Sequence, residues 1–303
     1  MRRTVLITGA GGFVGSHLAE GFLAMGDTVI ALDRDFDAPT RRRLVDATII
    51  AASLSVDAVA ATGRIDLVIH GAAITTPPEA VGLTGAQHVA SNIDLLLTSL
   101  DIARAHKASD FVFLSSSGVF APTDGDGVHL ESTVPTADMP YAVAKRAGEA
   151  ATMAAAGPGL RAIAVRLGPI YGPAEAPRPS RTTVSQVRRW LDRVTAGEPI
   201  VVEMPDERRD WTFAPDLPQA LDALLRREPA MTGIVHLTSA AITTNLDLAK
   251  AVAGLVAGAR VEIAASGEAP RLPMVSDRLD MAALHAWTPL AAGLQYLRDG
   301  AAP

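Results

Sequence analysis

In the stretch "DMPYAVAKRAGEA" (138–150), Tyr141 and Lys145 stand four residues apart, in a chain of 303 residues that holds three tyrosines and three lysines. On a helix that spacing puts both side chains on one face, one turn apart. Asp138 is placed to cap the helix and Pro140 to occupy its first turn. A phenol whose ordinary pKa is about 10 is a poor base at neutral pH. An ammonium group one turn away favours the phenolate and brings that pKa toward the working range. Such a pair suits removal of a hydroxyl proton from an alcohol while a redox cofactor takes hydride from the same carbon.

A second constellation says which cofactor. "TGAGGFVG" (8–15) places Gly9, Gly12 and Gly15 three apart, between the apolar run "TVLIT" (4–8) and the helical "SHLAEGFLAMG", where Gly26 reads as a C-cap. Small residues let backbone approach a pyrophosphate, and a helix N-terminus favours its charge. The spacing differs by one residue from G-x-G-x-x-G. Asp33, ending the next apolar run "TVIALD" (28–33), lies where a dinucleotide fold needs a carboxylate for the ribose 2′-hydroxyl. A carboxylate repels a 2′-phosphate, so NAD is favoured over NADP, although the neighbouring Arg34 is the residue that a phosphate would want.

The elements that must hold these groups alternate. "DLVIHGAA" (66–73), "FVFLSSS" (111–117) and "RAIAVRLG" (161–168) read as further strands, with helices near 85–106 and from Tyr141 onward. Continuously apolar strands alternating with helices define an α/β fold with a Rossmann-like, doubly wound parallel sheet. After residue 168 Pro and Arg increase, and helices are expected near 183–196, 216–227, 244–257 and 289–298. The expectation is a nucleotide-binding core over 1–168 and a smaller C-terminal substrate-binding lobe over 169–303, with the strand-like segment at about 233–240 rejoining the core sheet.

Composition narrows the class. There is no cysteine, so disulfides and thiolate metal sites are excluded, and the seven histidines are dispersed, so no metal site is expected. A formal charge of −6 argues against a nucleic-acid partner. The apolar runs are too short for a membrane span. A cytoplasmic location fits these features.

"TGAGGFVG", "HGAA" (70–73), Asn92, "SSSGVF" (115–120), "YAVAK" (141–145), "RLGPIYGP" (166–173) and "RRDWTFAPD" (208–216) stand in an order that resembles the extended short-chain dehydrogenases/reductases, the NAD-dependent epimerase/dehydratase family. The resemblance covers nearly the whole chain. It implies that Gly9, Gly12, Phe13, Val14 and Gly15 wrap the pyrophosphate and that Asp33, beside Arg34, holds the adenosine ribose. It also places Ala72 and Ala73 along the cofactor, Asn92 as a brace beside the site, and Ser53-Leu54 where the family keeps an Asp-aliphatic pair at the adenine. It assigns Tyr141 as acid/base, Lys145 as its tuner and a ribose contact, and Ser116 as the catalytic hydroxyl that orients the substrate oxygen. Thr75 and Ser117, at strand ends facing the same cleft, are expected to contact substrate.

The dehydratases of this family follow their catalytic threonine with Asp-Glu, where this chain has Ser117 and Gly118. Sugar dehydration is therefore not expected. The family's epimerases usually carry Gly-Asp-Gly before the Arg-Asp-aromatic motif, whereas "VVEMPDERRDW" (201–211) more resembles enzymes that oxidise small sugar acids. Arg178, Arg181 and Arg209, Arg209 first, could bind a carboxylate bidentately, and a diphosphate would also satisfy them, so the cluster alone does not separate the two readings. The expectation thus leans to a sugar-acid dehydrogenase, with a nucleotide-sugar epimerase as the alternative and a non-catalytic NAD-binding protein as the distant third. The substrate is a small molecule in each catalytic case. The Ala-rich helix after Tyr141 and "NIDLLLTSLDIA" (92–103) suggest helix packing across the two-fold axis of a homodimer.

Overall fold

A computed structural model describes residues 2–178, 181–228, 230–266 and 269–300. Seven parallel strands form the main sheet: β1 (Thr4–Thr8), β2 (Thr28–Asp33), β3 (Thr48–Ala51), β4 (Leu67–His70), β5 (Asp110–Ser116), β6 (Arg161–Leu167) and β7 (Gly233–Leu237). Their order, β7-β6-β5-β4-β1-β2-β3, reverses direction at β1 and opens a crevice between β1 and β4. The architecture is the Rossmann-like doubly wound sheet expected from the apolar runs. The one strand of this sheet that the sequence reading omits is β3. It is a short edge strand with no fully buried residue, so it lacks the apolar signature of the others.

Among the described residues, seven longer helices accompany the sheet: α1 (Phe13–Ala24), α2 (Gly85–Ala105), α3 (Pro140–Ala155), α4 (Gln186–Thr195), α5 (Leu217–Leu225), α6 (Asn245–Ala253) and α7 (Leu290–Gly300). Gly26, just past α1, takes the left-handed φ of +87° that a helix stop requires. α3 departs from expectation at its start. Its N-cap is Met139, without a side-chain hydrogen bond, so Asp138 does not cap it, while Pro140 does occupy the first turn.

Apolar side chains from both faces of the sheet build two clusters. One joins Leu18 and Phe22 of α1 to Leu217, Leu221 and Leu224 of α5. The other joins Leu96, Leu100 and Ala103 of α2 to Phe111 and Phe113 of β5. A third cluster stands apart from the sheet. It gathers Trp190 and Leu191 of α4, Leu248 and Val252 of α6, and Leu294 and Leu297 of α7 around Trp211 and Phe213. Gly233–Leu237 leaves this region to pair in parallel with β6. α5 likewise packs on the core despite its late position. Among the described residues, no helix is long and apolar enough to cross a membrane.

Candidate active site

The crevice where the strand order reverses holds a cavity of about 540 Å³, lined from the ends of β1, β2, β4, β5 and β6 and from the start of α1. At one end the glycine loop presses against β4. Gly9 has φ of +71°, and a Cβ there would lie 2.7 Å from the Ala72 nitrogen. A Cβ on Gly15 would collide with the Gly9 carbonyl oxygen. The loop therefore delivers bare backbone to the cavity. It leads into the first turn of α1, whose N–H groups have no partners within the helix.

Asp33 closes this end. Its carboxylate accepts the Gly11 N–H at 3.0 Å and the Arg34 N–H at 2.7 Å, which fixes the side chain beside the loop. Ser53, Leu54 and Arg34 complete the wall there. A glycine cradle closed to any added Cβ, a helix N-terminus and a held carboxylate fit a dinucleotide.

Along the middle run Ala72, Ala73, Ile74 and Thr75. Asn92 of α2 stands behind them rather than on the cavity wall. Its Oδ1 accepts the Ile74 N–H at 2.9 Å, and its Nδ2 donates to the Ile74 carbonyl at 3.2 Å and the His88 carbonyl at 3.0 Å. Thr8 carries a related brace: its hydroxyl lies 3.0 Å from His70 Nδ1, which is 2.7 Å from the Ser99 hydroxyl. Burial pushes His70 down to about 3, so the ring is neutral.

At the other end stand Ser116, Tyr141 and Lys145. Gly148, one turn past Lys145, explains how they get there. A Cβ at that position would come within 2.6 Å of the Phe113 ring, so α3 lies close on β5 only because the residue is glycine. Lys145 Nζ then donates to the Leu114 carbonyl at 2.6 Å and sits 5.6 Å from the Tyr141 ring centroid. Burial lowers its pKa to about 8, and Glu149 works in the opposite direction.

The phenol does not show the depressed pKa expected from Lys145. Burial raises it, while a hydrogen bond with Ser116 and the charge of Arg181 pull it down less strongly. Tyr141 thus keeps its proton at neutral pH. Desolvation of the phenolate outweighs both of these influences.

Beneath this floor lies a feature that the residue-by-residue reading missed. Glu149, four residues after Lys145, receives Arg166 Nε at 2.7 Å and Nη2 at 2.8 Å, and the Ser115 hydroxyl at 2.6 Å. The i+4 spacing from Lys145 was the available signal.

The arginines separate. Arg178 and Arg181 line the cavity, toward the glycine loop, whereas Arg209 is not among the lining residues and lies 3.9 Å from Glu207. Ser117 also falls outside the wall, because it opens the short 3-10 turn Ser117–Val119 that carries the chain away from β5. Gly71, Ser91, Gly168 and Ala176 line the cavity without having been singled out in the sequence.

A doubly wound sheet with a glycine loop at the switch point and Ser, Tyr and Lys across the same cleft defines an enzyme of the short-chain dehydrogenase/reductase type. The chain belongs to the NAD dependent epimerase/dehydratase family, whose model matches residues 5–235, and NAD is the cofactor that this membership assigns. Among its relatives is YtcB of Bacillus subtilis (strain 168), an uncharacterized UDP-glucose epimerase that is 28% identical over 73% of this chain and 72% of its own. Another is a probable dTDP-4,6-dihydroxy-2-methyloxan-3-one 4-ketoreductase of Streptomyces antibioticus, 30% identical over 82% of this chain and 75% of its own. The fold is similar to that of UDP-glucose 4-epimerase from Thermotoga maritima, with a TM-score of 0.81 at 20% identity over 98% of this chain and 97% of that one. The Thermus thermophilus UDP-glucose 4-epimerase in complex with NAD gives 0.76 at 24% identity, covering 99% and 100%. The sugar-acid reading finds no support among these relatives.

Proposed function

We propose that the chain acts on nucleotide-linked sugars, oxidising a sugar hydroxyl and returning the hydride to the other face of the resulting ketone, as an epimerase does. The observation that carries this reading over a sugar-acid dehydrogenase is the dispersal of the arginines. Arg178 sits at the glycine-loop end and Arg209 is off the cavity wall beside Glu207, so of the three candidate carboxylate ligands only Arg181 bears on Tyr141, and they do not converge there as a set. The relatives named as a UDP-glucose epimerase and a dTDP-sugar ketoreductase support the same substrate class.

NAD, when bound, supplies the hydride acceptor and a positively charged ring. With that charge beside it the Tyr141 phenol would release its proton to solvent, take up the sugar hydroxyl proton as the phenolate, and return it when the ketone is reduced. Ser116, whose Oγ accepts the Gly118 N–H at 3.0 Å, is fixed to orient the sugar oxygen. Lys145, tied to the Leu114 carbonyl, keeps a positive charge below the phenol and offers N–H groups to the cofactor ribose. Gly9, Gly12, Phe13, Val14 and Gly15 hold the pyrophosphate, Asp33 the adenosine ribose, and Ser53 and Leu54 border the adenine. Thr75 reaches the sugar.

The purified enzyme should interconvert UDP-glucose and UDP-galactose, or another UDP- or dTDP-hexose pair, with no net change in NADH absorbance. Net NADH formation from a sugar acid, with no reaction of any nucleotide sugar, would overturn the proposal. The ketoreductase relative favours a second reading, net reduction of a nucleotide-linked ketosugar, which the same assay registers as stoichiometric loss of NADH. A homodimer joined through α2 and α3 belongs to the proposal, since Leu97 and Met139 expose large apolar side chains there. Light scattering at monomer mass would reject it.

A further inference from the structure

We propose that Arg178 and Arg181 form a cationic strap that holds the dinucleotide's diphosphate from the side opposite the glycine loop. The inference rests on NAD as the cofactor, and it assigns these two side chains to the cofactor rather than to substrate.

The two residues are neighbours across a short antiparallel bridge, each N–H donating to the other's carbonyl at 2.9 Å. Both line the cavity. Arg178 arches over the glycine loop: its Nη1 lies 3.2 Å from where a Cβ on Gly11 would stand, and its Nη2 donates to the Asp35 carbonyl at 3.0 Å. Arg181 places its guanidinium carbon 5.3 Å from the ring centroid of Phe13, the first residue of α1. Each guanidinium is thus tethered through one nitrogen. In each, the other terminal nitrogen, Nη1, is buried and has no hydrogen-bond partner in the protein. A buried cationic donor without an acceptor is costly, and a diphosphate accepts from such donors strongly.

The tether is itself braced. Glu175, its side chain wholly buried, accepts Arg181 Nη2 at 2.6 Å and the Ser185 N–H at 2.8 Å, and Ser185 is the N-cap of α4. Glu175 offsets much of the Arg181 charge. The carboxylate nearest Arg178, that of Asp35, is 3.9 Å away and mostly solvated. Arg178 is therefore the stronger electrostatic partner for a phosphate, and Arg181 contributes mainly a directed N–H.

The test is calorimetric titration of the full-length protein with NAD and with ADP-ribose, and ligand-observed NMR with adenosine, which lacks phosphate. Arg178→Gln should weaken NAD and ADP-ribose by about tenfold, as loss of one charge-assisted hydrogen bond requires, and leave adenosine unchanged. It should also flatten the salt dependence of ADP-ribose binding. Arg181→Lys keeps a cation for Glu175 while removing the Nη1 donor, so it should fold normally and lose severalfold for the same two ligands. ADP-ribose binding within twofold of wild type in both variants would overturn the strap, and so would an equal loss for adenosine. Failure of the wild-type protein to bind NAD or ADP-ribose would instead remove the cofactor assignment beneath it.

Discussion

Replacing Glu149 by Gln, which keeps shape and removes charge, probes the ion pair under the catalytic floor. Arg166 is 2% exposed and Glu149 3%. The pair is bidentate, and among the described residues Glu149 is the carboxylate that Arg166 reaches. The other neighbours of Arg166 cannot replace that charge. Phe120 offers a ring face 4.9 Å away, and His236, pushed down to about 3 chiefly by burial, is neutral. Glu149→Gln therefore strands a buried guanidinium, which costs about 3–5 kcal/mol. With an unfolding entropy of about 2.1 cal/mol/K per residue over 303 residues, the melting temperature should fall by about 5–8 °C. The double variant Glu149→Gln with Arg166→Met removes both charges and should recover most of the loss. The site should respond too. Glu149 raises the pKa of Lys145 against burial, so its loss should move the alkaline limb of the pH–rate profile to lower pH. Differential scanning calorimetry and the profile read the two effects separately. A melting temperature within 1 °C of wild type in the single variant would refute the reasoning, since an uncompensated buried charge cannot be that cheap.

Tyr141→Phe should reduce turnover by at least about a thousandfold, in line with loss of general acid–base catalysis and substrate alignment, while calorimetry shows NAD affinity unchanged. Asp33→Asn should weaken NAD and narrow the preference over NADP, read as a ratio of kcat/KM values, because the carboxylate that disfavours a 2′-phosphate is gone. His17, His70 and His236, lowered by burial to about 4, 3 and 3, take up protons on unfolding, so stability should rise as pH increases from about 4 to 6.5. Asp210, raised by burial to about 6, opposes that trend below pH 6. Urea unfolding across this window should show a shallower slope in His70→Gln than in wild type.

Legibility followed the range of the interactions. The glycine loop, Asp33 and the Tyr141–Lys145 pair are set by spacings of a few residues next to apolar strands, and the fold brings all of them to one cavity. β3 escaped notice because an edge strand with half-exposed residues has no apolar run. The fates of the arginines were invisible. Arg209 pairs with Glu207 two residues away, and Arg178 bonds to the carbonyl of Asp35, 143 positions back in the chain. The Thr8–His70–Ser99 brace likewise draws on β1, β4 and α2, and no local pattern announces it. The cluster of the later lobe collects segments from Tyr171 to Leu297, each ambiguous until the others are in place.

The protonation states of the floor give a reason for the arrangement. His70 is neutral and Glu149 is matched by Arg166, which leaves Lys145 and Arg181 as the cations that bear on Tyr141. In that setting the Tyr141 phenol keeps its proton, and Lys145, at about 8, carries its charge near neutrality with little to spare. An additional positive charge in the cavity would favour the phenolate. NAD, when bound, would supply such a charge in its oxidised form only. Under the proposed epimerisation, the phenol would be basic while a hydroxyl awaits oxidation and acidic once the ketone must be reduced, the alternation that a single residue needs to serve both halves. Lys145→Met should therefore slow the proposed interconversion and weaken NAD binding together, since the lysine both sets the phenol's charge environment and reaches the cofactor ribose; turnover and NAD affinity within twofold of wild type would refute that dual role.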